Sequence, residues 1–180
     1  KLDGNYPTGT GNVALGDAAL DDASLSGNFN TAVGDSGLGE NESGASNTAV
    51  GHQSLALNTS GSNNTAIGKD ALLVSTTASD NTAVGSSALK ANTTGARNVA
   101  IGRDAGLAVT TGSNNVAVGF EALKNEDAHG QNTAIGTQAL FVLNAGADAV
   151  NTAVGYQAGA AVTTGIRNVL IGGLAGDALT

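Results

Sequence analysis

The chain has 180 residues, a formal net charge of −8 at neutral pH, no Cys, Met or Trp, and five aromatic residues. The acidic balance argues against a nucleic-acid-binding protein, which needs a basic face, and the absence of Cys excludes disulfides and thiolate chemistry. No apolar run is long enough to span a membrane as a helix, so membrane insertion is not expected either.

One five-residue phrase recurs ten times: Asn, then Thr or Val, then Ala (Leu170 in the last copy), then an aliphatic residue, then Gly. Its Asn residues are spaced by 18, 17, 17, 17, 17, 17, 17, 19 and 17, and they are Asn12, Asn30, Asn47, Asn64, Asn81, Asn98, Asn115, Asn132, Asn151 and Asn168. So regular a period predicts one small unit stacked on copies of itself. We therefore predict a single repeat array over residues 1–180, with units that begin near these Asn residues, and we expect it to be a segment of a longer fibre.

Each unit predicts two short apolar segments joined by two turns. The first segment is the recurring phrase, which is too short for a helix and ends at a strand-terminating Gly. The second is a small residue followed in most units by Leu, three and four residues after that Gly. A stretch of ordinary turn residues leads to the next unit. The fold class we predict is all-β: a parallel β-roll or β-solenoid of about ten 17-residue coils, each adding about 4.8 Å of length.

Stacking in register makes columns of equivalent residues. The Asn column should form a ladder of amides, and the invariant Gly should adopt a conformation or a close approach that a Cβ atom forbids. We assign a structural role to these columns in the central units, with Asn47, Ala49, Val50, Gly51, Asn64, Ala66, Ile67, Gly68, Asn81, Ala83, Val84 and Gly85 as their members.

The two faces of the first segment predict an assembly. Side chains alternate along a strand, so Thr31 and Val33 face one way and Ala32 faces the other. No charged residue occurs in any of the ten phrases, so neither face is polar. Because a thin coil can cover only one face by itself, the second face is expected to meet another chain. The partner we expect is the chain itself, in a parallel homotrimer that could also join end to end.

The phrase resembles the head repeats of trimeric autotransporter adhesins, in which Asn-x-Ala-Ile-Gly recurs along a left-handed parallel β-roll. It is at least as similar to the Asn-Thr-Ala-Val-Gly-Tyr-Gln-Ala-Leu repeats of phage tail fibres and large bacterial surface proteins, which residues 151–158 match nearly letter for letter. The resemblance extends over about residues 9–180, although the units here are longer than those of the adhesin heads. It implies a trimeric, extracellular fibre on a cell surface or a virion, with a host-surface glycan or protein as a candidate partner.

We expect a non-catalytic structural or adhesive protein without cofactor or metal. His52 and His129 fall in unrelated columns and suit turns better than ligand roles, and paired carboxylates with aromatic platforms for glycan cleavage are not evident. Contact residues are sought in the variable turns, where the longer 19-residue unit is expected to expose Phe141 or Leu143. The candidates are Phe29, Glu40, Glu42, Glu126, Asp127, Phe141 and Leu143.

The Thr column leaves an alternative open. Six Thr residues would stack one coil apart, and a flat Thr array binds ice in some β-solenoids; they are Thr31, Thr48, Thr65, Thr82, Thr133 and Thr152. Val13, Val99, Val116 and Val169 interrupt the column, and a packed interface accepts Thr and Val alike, so interface packing is favoured. The alternative function is a flat-faced binding module for ice or polysaccharide.

Overall fold

The computed structural model describes residues 9–177, and the two ends of the predicted array, residues 1–8 and 178–180, lie outside this range. The described chain folds into ten three-residue strands: β1 Val13–Leu15, β2 Thr31–Val33, β3 Thr48–Val50, β4 Thr65–Ile67, β5 Thr82–Val84, β6 Val99–Ile101, β7 Val116–Val118, β8 Thr133–Ile135, β9 Thr152–Val154 and β10 Val169–Ile171. They form one parallel sheet in the order β1 to β10. The predicted all-β solenoid with one coil per repeat is confirmed. Within residues 9–177 there is no helix that could cross a membrane.

Equivalent residues of successive units pair with one another throughout the sheet. Thr48 pairs with Thr65, and Val50 pairs with Ile67. The same register holds across the 19-residue unit, where Thr133 pairs with Thr152. The extra residues of the irregular units are therefore accommodated in turns, and the columns continue without a shift from one end of the sheet to the other.

Each coil closes through corners at which the backbone has positive φ. In the fourth coil these corners are Gly68 (φ 129°), Asp70 (58°), Leu72 (51°) and Asp80 (63°). The second apolar segment is thus a pair of corners and not a strand. A non-Gly residue in the left-handed region costs about 1 kcal/mol or more. The coil offsets that cost by burying Leu72 completely and by a hydrogen bond from its N–H to the carbonyl of Ala88, at 3.0 Å.

The invariant Gly permits a close approach between coils. At Gly85, φ is +134°, and a Cβ atom would lie 2.5 Å from the carbonyl oxygen of Gly102 and 2.6 Å from its carbon. The equivalent Gly residues from Gly16 to Gly155 meet the next coil in the same way. The prediction that this column excludes a side chain is confirmed, since neither the space nor the backbone conformation admits one.

The core is a narrow stack of small and branched side chains. The Ala in the middle of each strand from β2 to β9 points inward and is at most 2% exposed. In most coils the fourth residue after the strand-ending Gly is Leu. This Leu packs against the Ala column, as Leu55, Leu72 and Leu89 do. The interior is therefore built from two columns, as the Ala-rich and aromatic-poor composition indicates.

Two coils fill the core differently. Gly106 and Gly159 stand where seven other coils carry Leu, and the position three residues later is then Val109 or Val162, each at most 2% exposed. Where the Leu is present, that later position is Asn in three coils: Asn41, Asn58 and Asn92. In these two coils the missing Leu side chain leaves space for a buried Val. The coil of β8 differs, since Leu140 and Leu143 are both buried.

Candidate functional site

The Asn column is an internal hydrogen-bonded ladder. The N–H of Asn64 donates to Oδ1 of Asn47 at 2.9 Å, and the N–H of Asn81 donates to Oδ1 of Asn64 at 3.0 Å. The Nδ2 atom of Asn64 donates forward to the carbonyl of Ala78 at 2.8 Å. Asn47, Asn64 and Asn81 are at most 1% exposed. An amide suits this place because it donates and accepts at once, and here it holds one coil on the next.

The face of the strands opposite the Ala column is not covered by the chain itself. We call the first and third residues of strands β1–β10 the outward stripe. Ile67, Ile101 and Ile135 on this stripe are 40%, 42% and 38% exposed, while Val50 and Val84 are half-buried. Ala49, Ala66 and Ala83 between them are fully buried. The predicted division of faces is therefore present, with the Ala face covered by its own coil and the aliphatic face uncovered.

Polar residues border the outward stripe at both ends of the strands. The residue before each Asn is mostly polar and exposed, as is the residue after each Gly. On one border, Nε of Arg97 donates to Oδ1 of Asn114 at 2.9 Å. On the other border, Nε2 of His52 lies 3.5 Å from Oδ2 of Asp35. The third residue of every strand is Leu, Val or Ile, so the stripe contains a continuous aliphatic column. Such a column with a polar rim has the anatomy of a protein interface.

The predicted contact residues do not all reach the surface. Phe29 is 64% exposed, and Glu40 and Glu42 are exposed as well. Asp127 and Phe141 are half-buried, and the ring of Phe141 lies 5.8 Å from Nζ of Lys124. Glu40 and Glu42 share one coil, whereas Asp127 and Phe141 lie in coils far along the chain. The structure therefore does not gather the predicted contact residues into one patch.

Leu143 and Glu126 are fully buried, so the expectation that they make surface contacts is wrong. Leu143 occupies the same core column as Val109 and Val162, seven residues after the strand-ending Gly. The extra residues of its unit instead form a bulge around Gly146, where a Cβ atom would have no neighbour within 4 Å. Asp148 connects this bulge to the preceding coil, since its carboxylate accepts a hydrogen bond from the N–H of Gly130 at 2.9 Å.

A polar ladder crosses three coils on another side of the solenoid. Nζ of Lys124 donates to Oε1 of Glu121 at 2.7 Å, and Nε2 of Gln138 donates to Oε2 of Glu121 at 2.8 Å. Gln157 donates in turn to Gln138 at 2.8 Å. These hydrogen bonds, that of Lys124 first, lower the pKa of Glu121. The carboxylate is therefore held as an anion within a structural network.

The turn after β7 gathers three titratable side chains that sequence reasoning did not group. Oε1 of Glu126 lies 3.4 Å from Nδ1 of His129, and a carboxylate oxygen of Asp127 completes a set of atoms within 4.8 Å of one another. Burial raises the pKa of Glu126, against smaller opposing contributions from the N–H groups of Ala145 and His129. The sequence gives one sign of this cluster: the residues of this turn differ from those at the equivalent positions of the other units.

Comparisons with protein-family models, with curated proteins and with solved structures give no significant match to this chain.

Proposed function

We propose that the chain is a segment of a non-catalytic structural and adhesive fibre that assembles as a parallel homotrimer through its outward stripes. Such a fibre acts outside the cell, on a cell surface or a virion, and forms or projects a receptor-binding region. The observation that carries the proposal is the outward stripe itself. Every strand presents aliphatic or Thr side chains on it, and no charged residue occurs within the repeated phrases.

The stripe favours a second copy of the same chain as its partner. Its period is one coil, roughly 4.8 Å, and a parallel copy has the same period along the whole sheet. Copies related by a rotation axis along the solenoid keep equivalent coils level, so every coil meets its counterpart and no mismatch accumulates. The number three is supported by the resemblance of the repeats to those of trimeric adhesins.

The turns support the adhesive part of the proposal. They vary in sequence and length while the strands keep register, as between β8 and β9, so their residues are free to change without disturbing the sheet. Phe29, Glu40 and Glu42 are exposed, and they are our candidates for contact with a host-surface glycan or protein. Exchange of these three for Ala should abolish binding to cells or glycans that the unaltered fibre binds, and retained binding would contradict this role.

The assembly is tested by the mass in solution. Light scattering should give about 52 kDa, three times the chain mass of 17.3 kDa. Ile67→Glu places a charge on the stripe and should release folded monomers. Leu57→Glu is the matched control, since Leu57 lies in a turn and is 43% exposed against 40% for Ile67; its mass should stay at that of the trimer. A stable, soluble monomer of the unaltered chain would contradict the assembly, as would a trimer that persists in Ile67→Glu.

A flat-faced module for ice or polysaccharide is the second candidate, and one observation favours it. Thr48, Thr65 and Thr82 lie on the outward stripe, half-exposed, and pair directly with one another. The two functions exclude each other, because a stripe covered by a partner chain cannot bind a crystal. Thermal hysteresis that is lost in Thr65→Tyr, together with a monomeric mass, would support this candidate. Absence of thermal hysteresis in the unaltered chain would exclude ice binding.

A further inference from the structure

Three residues in the turn after β7 replace what the other units carry at the same places. Counted from the strand-ending Gly, Glu126 holds the seventh place, which is otherwise uncharged; its counterparts are Asn41, Asn58, Ser75, Asn92, Val109, Leu143 and Val162. Asp127 holds the eighth, which is Thr in six other units. His129 holds the tenth, which is Gly in six other units. All three replacements introduce side chains that ligate divalent metals.

Glu126 fits its place poorly as a structural residue. In the fifth unit Asn92 both donates to the carbonyl of Gly95 at 3.0 Å and accepts from its N–H at 2.8 Å. A carboxylate can only accept, and Glu126 does so from the N–H groups of His129 and Ala145, each at 3.3 Å. Those distances are longer than the roughly 2.7–2.9 Å of charge-assisted hydrogen bonds. A fully buried carboxylate held so loosely is stabilised by a cation beside it or by taking up a proton.

The neighbouring histidine provides a second, independent observation. Nδ1 of His129 is shielded from solvent and has no hydrogen-bond partner, although it lies 3.4 Å from Oε1 of Glu126. Two ligands bound at 2.0–2.2 Å to a tetrahedral ion are themselves about 3.4 Å apart. The backbone of His129 is held in the coil, since its carbonyl accepts from Nδ2 of Asn115 at 3.2 Å. The two side chains therefore already have the separation that a shared metal ion needs.

We propose that Glu126, Asp127 and His129 bind one divalent cation of the Zn²⁺ class. The protein ligands are Nδ1 of His129, a carboxylate oxygen of Glu126 and one of Asp127, and water completes the shell. An imidazole ligand selects Zn²⁺ and its transition-metal neighbours over Ca²⁺, which takes oxygen ligands. Because Oε2 of Glu126 also accepts from Ala145 in the next coil, the bound ion would fix the turn against the bulge of the 19-residue unit.

The repeat itself supplies the test variants. Glu126→Asn and His129→Gly restore the residues found at these places in other coils, so both should fold. After incubation with ZnCl₂ and desalting, elemental analysis of the unaltered chain should give one zinc per chain, and each of these variants should give none. His52→Gln, which alters a histidine outside the turn, is the matched control and should keep one zinc.

Thermal unfolding gives a second readout. At a Zn²⁺ concentration about 100-fold above Kd, the melting temperature of the unaltered chain should rise by roughly 5–10 °C, and that of Glu126→Asn should not change. CaCl₂ at the same concentration should have no such effect. The proposal is overturned if the unaltered chain retains no zinc, which would leave a Glu126–His129 ion pair alone in the turn. It is equally overturned if Glu126→Asn retains as much zinc as the unaltered chain.

Discussion

The Cδ2 atom of Leu89 lies 3.1 Å from the point that a Cβ atom on Gly106 would occupy, and a methyl group of Val109 lies 3.6 Å from the same point. Gly106 and Val109 therefore share one volume of the core. Gly106→Leu should lower the free energy of unfolding by about 1–3 kcal/mol through overpacking. Val109→Asn should also destabilise, through lost apolar contact.

The double variant Gly106→Leu with Val109→Asn reproduces the pairing found in the fifth unit, where Leu89 is followed by Asn92. Its loss should be smaller than the sum of the two single losses by about 1–3 kcal/mol. Thermal unfolding of all four proteins at equal chain concentration measures this difference. Strict additivity would show that the two columns do not compensate each other.

A side chain in the Gly column should be strongly destabilising. Gly85→Ala brings a Cβ atom within 2.5 Å of the carbonyl oxygen of Gly102 and requires Ala at a φ of +134°. We expect a loss of about 3 kcal/mol or more in the free energy of unfolding, measured by urea denaturation. Gly146→Ala is the matched substitution, since no atom lies within 4 Å of its Cβ position. It should change stability by less than about 1 kcal/mol, and equal losses for both would refute the proposed role of close approach.

The amide ladder predicts a large effect from one internal residue. Asn81→Ala removes the acceptor for the N–H of Asn98, at 2.9 Å, and the donor to the carbonyl of Gly95, at 2.9 Å. The N–H of Asn98 is then left buried without its acceptor, while the carbonyl of Gly95 keeps only the hydrogen bond from Nδ2 of Asn92. This should lower the free energy of unfolding by about 1–3 kcal/mol. Asn81→Asp should also destabilise, because a carboxylate cannot donate to Gly95. The exposed Asn125 gives the control, and its change to Ala should have an effect below about 0.5 kcal/mol.

Glu121 should make stability depend on acid pH. The hydrogen bond from Lys124, followed by that from Gln138, lowers the pKa of Glu121 below its ordinary value of 4.5. A carboxyl with a lowered folded-state pKa contributes stability above its unfolded pKa and loses that contribution as the pH falls through the folded pKa. The melting temperature should therefore drop as the pH falls from the ordinary pKa of 4.5 through the lowered folded-state pKa of Glu121, less steeply in Glu121→Gln. Glu40→Gln, which removes an exposed carboxylate, should keep the slope of the unaltered chain, and an unchanged slope in Glu121→Gln would contradict the expectation.

The strands, their register and the inward Ala column could be read from the sequence because each repeated column has one physical role. Ala66 must point opposite to Thr65 and Ile67 in a strand, and a constant period leaves no other partner for Thr65 than Thr48 and Thr82. The positive φ at Leu72 could not be predicted from the sequence. Leu carries no local preference for positive φ, and it takes φ 51° because burial between coils stabilises it there.

The misplacement of Leu143 has a different cause. Counting back from the next Asn places the extra residues of the 19-residue unit anywhere between Phe141 and Val150. Counting forward from the strand-ending Gly puts Leu143 and Glu126 both at the seventh place, in the buried column with Val109. The structure shows that the forward count is right, because the residues that follow the strand-ending Gly keep equivalent positions from coil to coil and the extra residues come after them. Glu126 lies in a regular 17-residue unit, where both counts agree. Its burial beside His129 was missed because a charged residue in a turn is expected at the surface.

Every strand between the first and the last pairs with the two that adjoin it in sequence and with no other strand of the described sheet. Removing or duplicating one complete 17-residue unit would therefore join surfaces that already fit, and it would move the far end by about 4.8 Å. Recombination within such a gene would change the length of the molecule in steps of one coil, and no side chain would need to change in response.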